Sequence, residues 1–339
     1  MDKIVLISVF VSLIVTIIFL PYWIKKTKQV GLMWDDMNKI NRPKVSASGG
    51  IIVIMAFVLS VLTYLAIRTF FISEDGISLN IFSLLSVVLI LAIVGLTDDL
   101  LGWKLGGLSA RFRIFLVLMA GIPLVVINAG EHTINLPFVG IVELGIIYPL
   151  ILIPIGIVGA TTTYNFLAGF NGLESSQGII ILSFLSFVAY ETGSSWLALV
   201  GLCMVASLIV FYFFNKYPAK VFPGDILTYS IGALIAIMAI LGNFEKVAIF
   251  VFIPYIIETV LKLRGGLKKQ SFGLPQNDGS LELPYDKIYG LEHLAIKILK
   301  KMKRSGKVYE KDVVYLINSF QIFIVLICLI IFKESILII

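Results

Sequence analysis

Long apolar runs alternate with short polar gaps along almost the whole chain. The runs lie near residues 4–23, 49–67, 80–97, 113–129, 146–164, 177–190, 196–214, 226–242, 246–263 and 314–332. About 18–20 apolar residues wound as a helix cross roughly 30 Å of hydrocarbon, so the pattern predicts an all-α polytopic membrane protein with about ten transmembrane helices. The first run, Ile4–Trp23, lacks a small-residue cleavage region and is followed by Lys25, Lys26 and Lys28, which reads as a retained span rather than a signal peptide. One gap breaks the pattern. "EHTINLPFVGIVEL" (131–144) alternates apolar and polar residues around Pro137 and Gly140 and predicts a small β-hairpin or an irregular loop, with His132 in solvent.

Composition agrees: 59% of the 339 residues are hydrophobic and 14% charged, against roughly 45–50% apolar in ordinary globular chains. Mean hydropathy is +1.01. The two cysteines, Cys203 and Cys328, fall inside apolar runs and read as small buried hydrophobes, with no disulfide framework. A net charge of +6 would suit nucleic acid in a soluble protein; here basic loops mark the cytoplasmic side, and no nucleic-acid partner is expected. Loops after the odd-numbered runs carry 23 of the 27 lysines and arginines, leaving Lys3, Arg68, Lys246 and Lys333 opposite. Both termini are therefore expected outside, in a multi-pass protein of the cell membrane with its working face in the cytoplasm. Residues 1–339 read as a single transmembrane domain, with 264–313 as a basic cytoplasmic loop.

The polar residues that are hard to explain as turns lie on that inner face. In "GLMWDDMNKINRPKVSASGG" (31–50), Asp35, Asp36, Asn38 and Lys39 read equally as solvated charges or as part of a site. Gly49-Gly50 permits close approach of a neighbouring helix or of a ligand. Asp98 and Asp99 end the third run directly; ionisable residues at membrane depth point to function, and adjacent carboxylates repel unless a cation lies between them. A helix cap is the plainer alternative. Lys104, Arg111 and Arg113 follow and suit phosphates.

"NFLAGFNGLESSQG" (165–178) sets Asn165 at the end of the fifth run and Asn171 beyond a short looped segment. Amide oxygens suit Mg²⁺ and amides pair with a nucleobase edge; Gly169, Gly172 and Gly178 allow close approach to phosphate or sugar. A turn capped by Ser175 or Ser176 is the bland reading. Asp225 heads the eighth run after Phe222-Pro223-Gly224, as a cap or a ligand. Asp98, Asp99, Asn165 and Asp225 fall at one depth on one side, offering hard oxygens to a divalent ion among cations that suit a diphosphate. In the last loop, Leu291, Leu294, Ile298 and Met302 recur at helical spacing with Lys297, Lys300, Lys301 and Arg304 on other faces, which predicts an amphipathic helix on an anionic leaflet, His293 included. The Gly/Lys-rich stretch 264–273 is expected to reach over the active face.

These motifs resemble the polyprenyl-phosphate N-acetylhexosamine-1-phosphate transferase superfamily, glycosyltransferase family 4. The resemblance rests on D-x-N-K at 36–39, the aspartate pair at 98–99, the stretch 165–178, V-F-x-G-D at 221–225 and L-E-L-x-Y at 281–285. The A-G-x-N-G-L-E form of the loop is similar to the archaeal and eukaryotic branch that uses UDP-N-acetylglucosamine and dolichyl phosphate, not to the D-G-x-D-G-L form of the bacterial translocases.

The resemblance implies transfer of N-acetylglucosamine-1-phosphate from UDP-N-acetylglucosamine to a polyprenyl (dolichyl) phosphate, releasing UMP, the first step of lipid-linked oligosaccharide synthesis for protein N-glycosylation. It implies Mg²⁺, with Mn²⁺ as a substitute, on Asn165 and Asp225, with Asp98 and Asp99 catalytic beside it. Lys39, Asn171, Gly172, Glu174 and Phe222 would serve the nucleotide, Lys104, Arg111 and Arg113 the lipid phosphate, and Lys268, Lys269 and Gln270 the sugar. Two departures stand out: Thr162 replaces a family asparagine, and Lys268-Lys269-Gln270 replaces the eukaryotic Arg-His-Arg. Another UDP-N-acetylhexosamine, or undecaprenyl phosphate for a cell-envelope polysaccharide, remains an alternative. A lipid-linked sugar transporter or flippase is the rival of another class, disfavoured because no charge sits at the centre of a run. An aspartate-rich prenyltransferase would need a second D-D-x-x-D cluster. Lipid length and a homodimer stay open.

Overall fold

The computed structural model describes residues 6–72, 76–136 and 140–336. The helices are α1 (Ile7–Val30), α2 (Gly50–Ile67), α3 (Ser78–Leu105), α4 (Ala110–Ala120), α5 (Ile122–Val126), α6 (Ile153–Phe166) and α7 (Leu173–Glu191). They continue with α8 (Ser195–Asn215), α9 (Asp225–Gly242), α10 (Glu245–Val251), α11 (Ile253–Arg264), α12 (Leu291–Met302), α13 (Glu310–Ile331) and α14 (Lys333–Ile336). Three antiparallel hairpins complete it: β1 (Met33–Asp35) with β2 (Lys44–Ser46), β3 (Thr133–Leu136) with β4 (Gly140–Glu143), and β5 (Leu274–Pro275) with β6 (Leu281–Glu282).

Among the described residues, eight helical segments are long and apolar enough to cross a membrane: α1, α2, α3, α7, α8, α9, α13, and α6 together with the π-helical turn Tyr148–Leu152 that runs into it. The two other expected runs, 113–129 and 246–263, are helix pairs. The first breaks at Gly121 between α4 and α5, the second at Phe252 between α10 and α11. Pro123 and Pro254 lie in the first turn of the second helix of each pair, where a missing N–H does no harm but the preceding ladder cannot continue.

Helix α9 is the axis of the bundle: every residue from Ile226 to Ile240 is buried. Helices α2, α3, α6 and α7 pack around it. Small residues set the closest approaches. A Cβ on Gly232 would lie 2.7 Å from the Ala160 carbonyl oxygen of α6, and one on Gly95 would lie 2.5 Å from the Asp225 carbonyl of α9. Between apolar helices in lipid, such backbone proximity replaces the hydrophobic drive that water would supply. At the periphery α1 reverses the usual polarity. It buries Ser8, Ser12, Thr16 and Thr27 and exposes Phe10, Ile14, Ile17 and Ile18; the Ser12 hydroxyl donates to the Cys203 carbonyl at 2.7 Å. Cys203 and Cys328 are both buried, as their positions predict.

The segment 131–144 forms the β3–β4 hairpin, pairing Thr133 with Glu143; Pro137 lies outside the described residues. His132 is not simply solvated: its ring stacks on Tyr148, centroids 5.8 Å apart.

The expected surface helix exists as α12, and besides the stripe marked by its leucines it has a second face that packs into the protein. Leu291, Glu292, His293, Ala295 and Ile296 are buried against α11 and α13, while Ile298 and Met302 stay exposed. His293 therefore lies inside, its Nδ1 accepting from the Tyr289 N–H at 3.4 Å. Periodicity marks one face as apolar, but it cannot show that a glutamate and a histidine find a second face in the protein. Glu292 is fully buried with neither carboxylate oxygen hydrogen-bonded, facing Glu258 and Lys262. Burial, then the neighbouring Glu258 charge, raises its pKa well above the ordinary glutamate value of 4.5. A carboxyl raised in the folded state gives stability at low pH that is lost as pH climbs past the unfolded value toward the folded one. The melting temperature of the wild type in detergent should therefore fall as pH is raised through neutrality, and Glu292→Gln should flatten that decline; parallel pH curves for the two proteins would count against a protonated Glu292.

Candidate active site

The site forms where the C-terminal parts of α3 and α6 meet the N-terminus of α9, and a few polar side chains are held there at the edge of an apolar bundle. Asp99 is the central tie. One of its carboxylate oxygens accepts the Asp225 N–H at 2.8 Å and the other accepts the Ser48 hydroxyl at 2.9 Å. An aspartate at a helix start leaves that helix's first N–H groups without partners, and here a carboxylate from α3 supplies one. Ser48 reaches Asp99 because the strand before α2 runs beside the segment before α9. The Phe222 N–H donates to the Ser46 carbonyl at 2.8 Å, and Gly49 N–H donates back to the Phe222 carbonyl at 2.9 Å. Gly50 N–H donates to the Pro223 carbonyl at 3.0 Å, and a Cβ there would lie 2.5 Å from the Leu227 Cβ. Gly49-Gly50 thus serves close approach of a neighbouring segment, one of the two readings the sequence allows. A Cβ on Gly224, at φ +74°, would collide with the Asp99 carboxylate.

Asp98 points elsewhere. Its Oδ2 accepts from Arg113 Nη1 at 2.7 Å and its Oδ1 from the Leu108 N–H at 2.5 Å. The turn through Gly106 and Gly107, both at positive φ, folds the chain back for this; a Cβ on Gly107 would stand 2.8 Å from Asp98 Oδ1. Arg113 also lies 3.8 Å from the Asp225 carboxylate. The Asp98 and Asp225 carboxylates adjoin each other beside this one guanidinium. Across from them, Asn165 Oδ1 accepts the hydroxyl of Thr228, one turn into α9 from Asp225, at 2.8 Å. Asp98, Asp99, Asp225, Asn165 and Arg113, separated by up to 127 residues in sequence, therefore do converge.

Among the described residues no three carboxylate, imidazole or thiol side chains are arranged to hold a metal ion by themselves. What the structure offers is a carboxylate and an amide oxygen on neighbouring helices, beside a second carboxylate whose repulsion one arginine only partly offsets. Such hard oxygens suit a small divalent ion that keeps several ligand places for water or phosphate.

The other predicted residues divide. Arg111 is two positions from Arg113 on α4 and is exposed, outside the cluster; the Lys104 side chain is not among those described. Lys269 and Gln270 line a cavity of about 200 Å³ with Asn165, Phe166, Lys262, Ser271 and Phe272, whereas Lys268 does not. The stretch 264–273 does reach over the site: a Cβ on Gly169 would lie 2.7 Å from the Phe272 ring.

Lys39, Asn171, Gly172 and Glu174 build the loop below. Asn171 Nδ2 donates to Asp36 at 3.0 Å, and Lys39 pairs with both Asp36 and Glu310. Glu310 Oε1 also accepts the Asn171 N–H at 2.7 Å, and Glu174 Oε1 accepts the Gly169 N–H at 2.8 Å. Asn38 joins the first loop to both others, donating to the Gly169 carbonyl at 2.8 Å and accepting from Gly273 N–H at 3.0 Å. Gly172, at φ +87°, immediately precedes α7, as the glycine-rich sequence requires. Phe222 is half-buried on the segment beside Asp99.

Sequence reasoning missed Ser48, Thr228, Glu310, Lys262 and Ser271. Thr228 had a signal, three residues after Asp225 on one helix face; Glu310, opening the last span, had only its acidity in a basic loop. Because the Asp225 peptide rests on Gly95, Gly95→Ala should cost about 1–3 kcal/mol of stability and lower turnover as α9 is displaced, read by thermal unfolding and specific activity in detergent.

Residues 81–243, which hold Asp98, Asp99, Arg113, Asn165 and Asp225, match the glycosyl transferase family 4 domain. A Saccharolobus solfataricus protein, provisionally named a UDP-N-acetylglucosamine–dolichyl-phosphate N-acetylglucosaminephosphotransferase, is 36% identical over 87% of each chain. The Dictyostelium discoideum enzyme of that name is 30% identical over 68% of this chain and 64% of its own. A phospho-N-acetylmuramoyl-pentapeptide-transferase of Wolbachia pipientis is 27% identical over 74% of this chain and 78% of its own. The shared sequence extends well beyond the matched domain to most of the bundle that positions these side chains, and the chain belongs to glycosyl transferase family 4.

Proposed function

We propose that this protein transfers N-acetylglucosamine-1-phosphate from UDP-N-acetylglucosamine to a dolichyl-type polyprenyl phosphate, releasing UMP. The observation that carries the reading is the convergence of Asp98, Asp225, Asn165 and Arg113 at the inner ends of three apolar helices. Two anionic substrates have to meet there, one of them anchored in lipid. The site couples hard oxygen donors to a cation at the level where a lipid headgroup lies.

In the reaction an oxygen of the lipid phosphate attacks the β-phosphorus of the nucleotide sugar. The bond from that phosphorus to the oxygen bridging to the α-phosphorus breaks, and UMP leaves with the electron pair. Asn165 and Asp225 would hold Mg²⁺, which when bound neutralises charge on the diphosphate. Arg113, one-third exposed and anchored on Asp98, orients and screens the incoming phosphate, which carries about −1.5 to −2 charge at pH 7. The second phosphate pKa is about 6, so the nucleophilic oxygen is already free of its proton and no strong base is required. Asp98, with one oxygen on Arg113 and the other on the Leu108 N–H, is an orienting group rather than a nucleophile. Asp99 acts through Asp225, whose helix start it fixes.

In the proposed topology this face lies at the cytoplasmic leaflet of the cell membrane, with both termini outside and the helix pairs α4–α5 and α10–α11 completing ten crossings, a reading supported by the positive-inside bias of 23 out of 27 basic residues. A thiol probe that cannot cross the membrane should then label Lys301→Cys only in inverted vesicles; labelling of right-side-out vesicles would reverse the topology.

Purified protein with Mg²⁺ and dolichyl or undecaprenyl phosphate should release UMP from UDP-N-acetylglucosamine, and chelation by EDTA should stop it reversibly. Asp225→Ala and Asn165→Ala should each lower that rate by about 100-fold or more, the scale on which charge-stabilising groups act. UMP release from none of the UDP-sugars would sink the reading. Full activity in both variants would remove the metal assignment alone.

A further inference from the structure

Behind the cavity that opens beside Asn165 lies a buried group of charges that the reaction above does not use. Lys262 lines that cavity, yet it is only 7% exposed. Its ammonium lies 3.6 Å from Glu258 Oε1, one turn earlier on α11, and donates to the Ser271 hydroxyl. Glu258 is fully buried, and its other oxygen accepts the Leu291 N–H at 2.5 Å. The ammonium is therefore held from behind by a carboxylate and directed forward onto one serine in the cavity wall.

This geometry fixes the sense of the Ser271 hydrogen bonds. An ammonium has three donors and no acceptor, so towards Lys262 the serine oxygen can only accept. Its own proton reaches the Phe166 carbonyl only at the long distance of 3.5 Å, which leaves it available to a better-placed acceptor in the cavity. Ser271 is thus set as a hydrogen-bond donor in the wall of a cavity of about 200 Å³ whose remaining lining includes the apolar Phe166, Ala168, Leu267 and Phe272.

We propose that Ser271 is a specificity-determining contact for the donor sugar and that Lys262 is the positioning residue that locks it as a donor. The matching group is an acetamido substituent. Its carbonyl oxygen accepts and cannot donate, and its methyl group needs an apolar wall such as Phe272 and Leu267 provide. A hydroxyl in the same place supplies neither feature as well. The assignment rests on the transferase reading above.

The test compares UDP-N-acetylglucosamine with UDP-glucose in the full-length protein. In Ser271→Ala, kcat/KM for UDP-N-acetylglucosamine should fall at least about tenfold, mostly through KM, the scale of one lost buried hydrogen bond. Inhibition by UDP-glucose and by UMP should change less than about twofold. Lys262→Met should reproduce that selective loss. Lys262→Met combined with Glu258→Gln, which removes both buried charges together, guards against misfolding and should show the same loss at wild-type melting temperature. Lys262→Arg should restore part of it. An unchanged preference for the acetamido sugar in Ser271→Ala, or equal weakening towards UMP, overturns the inference while leaving the transferase reading intact. Failure of the wild type to turn over any UDP-N-acetylhexosamine overturns both.

Discussion

The structure depends on one carboxylate held where water is scarce. Asp99 sits near the end of an apolar helix and is 7% exposed, so each of its oxygens needs a donor. It takes the N–H that starts α9 and the hydroxyl of Ser48 in the segment between β2 and α2. Three parts of the chain are joined at one point by two charge-assisted hydrogen bonds. The glycines around it follow from that requirement, since Gly224, Gly95 and Gly50 each lie where a Cβ would strike the groups being joined.

The same logic extends across this end of the bundle. A bundle this apolar has little tolerance for unpaired polar atoms, and the polar loops satisfy one another. Asp36, Lys39, Asn171 and Glu310 form one connected set that ties the start of α13 to the first loop and to the turn before α7. Asn38 ties both loops to Gly273. Residues that the family resemblance assigns to the nucleotide are thus also the ones that hold three loops in register. A rigid rim of this kind suits a site that must place a diphosphate against a lipid phosphate, because small misplacements of reacting groups are costly in rate.

At the opposite wall, α11 and α12 bury two glutamates and a lysine with fewer partners than they need. Glu258 Oε1, both oxygens of Glu292 and His293 Nε2 lack hydrogen-bond partners. Such an arrangement is a poor device for stability, since desolvating charges costs more than a partial set of contacts returns. Its position one layer behind the cavity beside Asn165 gives it a use in fixing how Ser271 presents its hydroxyl.

The sequence by itself determined the class of protein, most of its apolar segments and the polar residues that stand out at their ends. Apolar runs of membrane length have few other solutions in lipid, and Asp98, Asp99, Asn165 and Asp225 stand out because each ends or begins such a run. The loop 165–178 was legible in kind, since its glycines and asparagines allow a tight turn and little else. Tertiary structure decided what spacing cannot express. Arg111 and Arg113 look alike in sequence, yet two positions on a helix turn them to different sides, and only Arg113 meets Asp98. The leucine spacing of α12 marks the face that stays exposed at Ile298 and Met302, but not the second face that packs on α11 and α13, because that burial depends on those helices rather than on the helix's own pattern. Ser48 and Ser271 carry no local mark, and Thr228 and Glu310 only a faint one; each matters through a partner between 51 and 271 residues away or, for Ser271, through the buried lysine nine residues before it. Periodicity records which residues avoid water, whereas the partner of a buried polar atom is fixed only once the helices have packed.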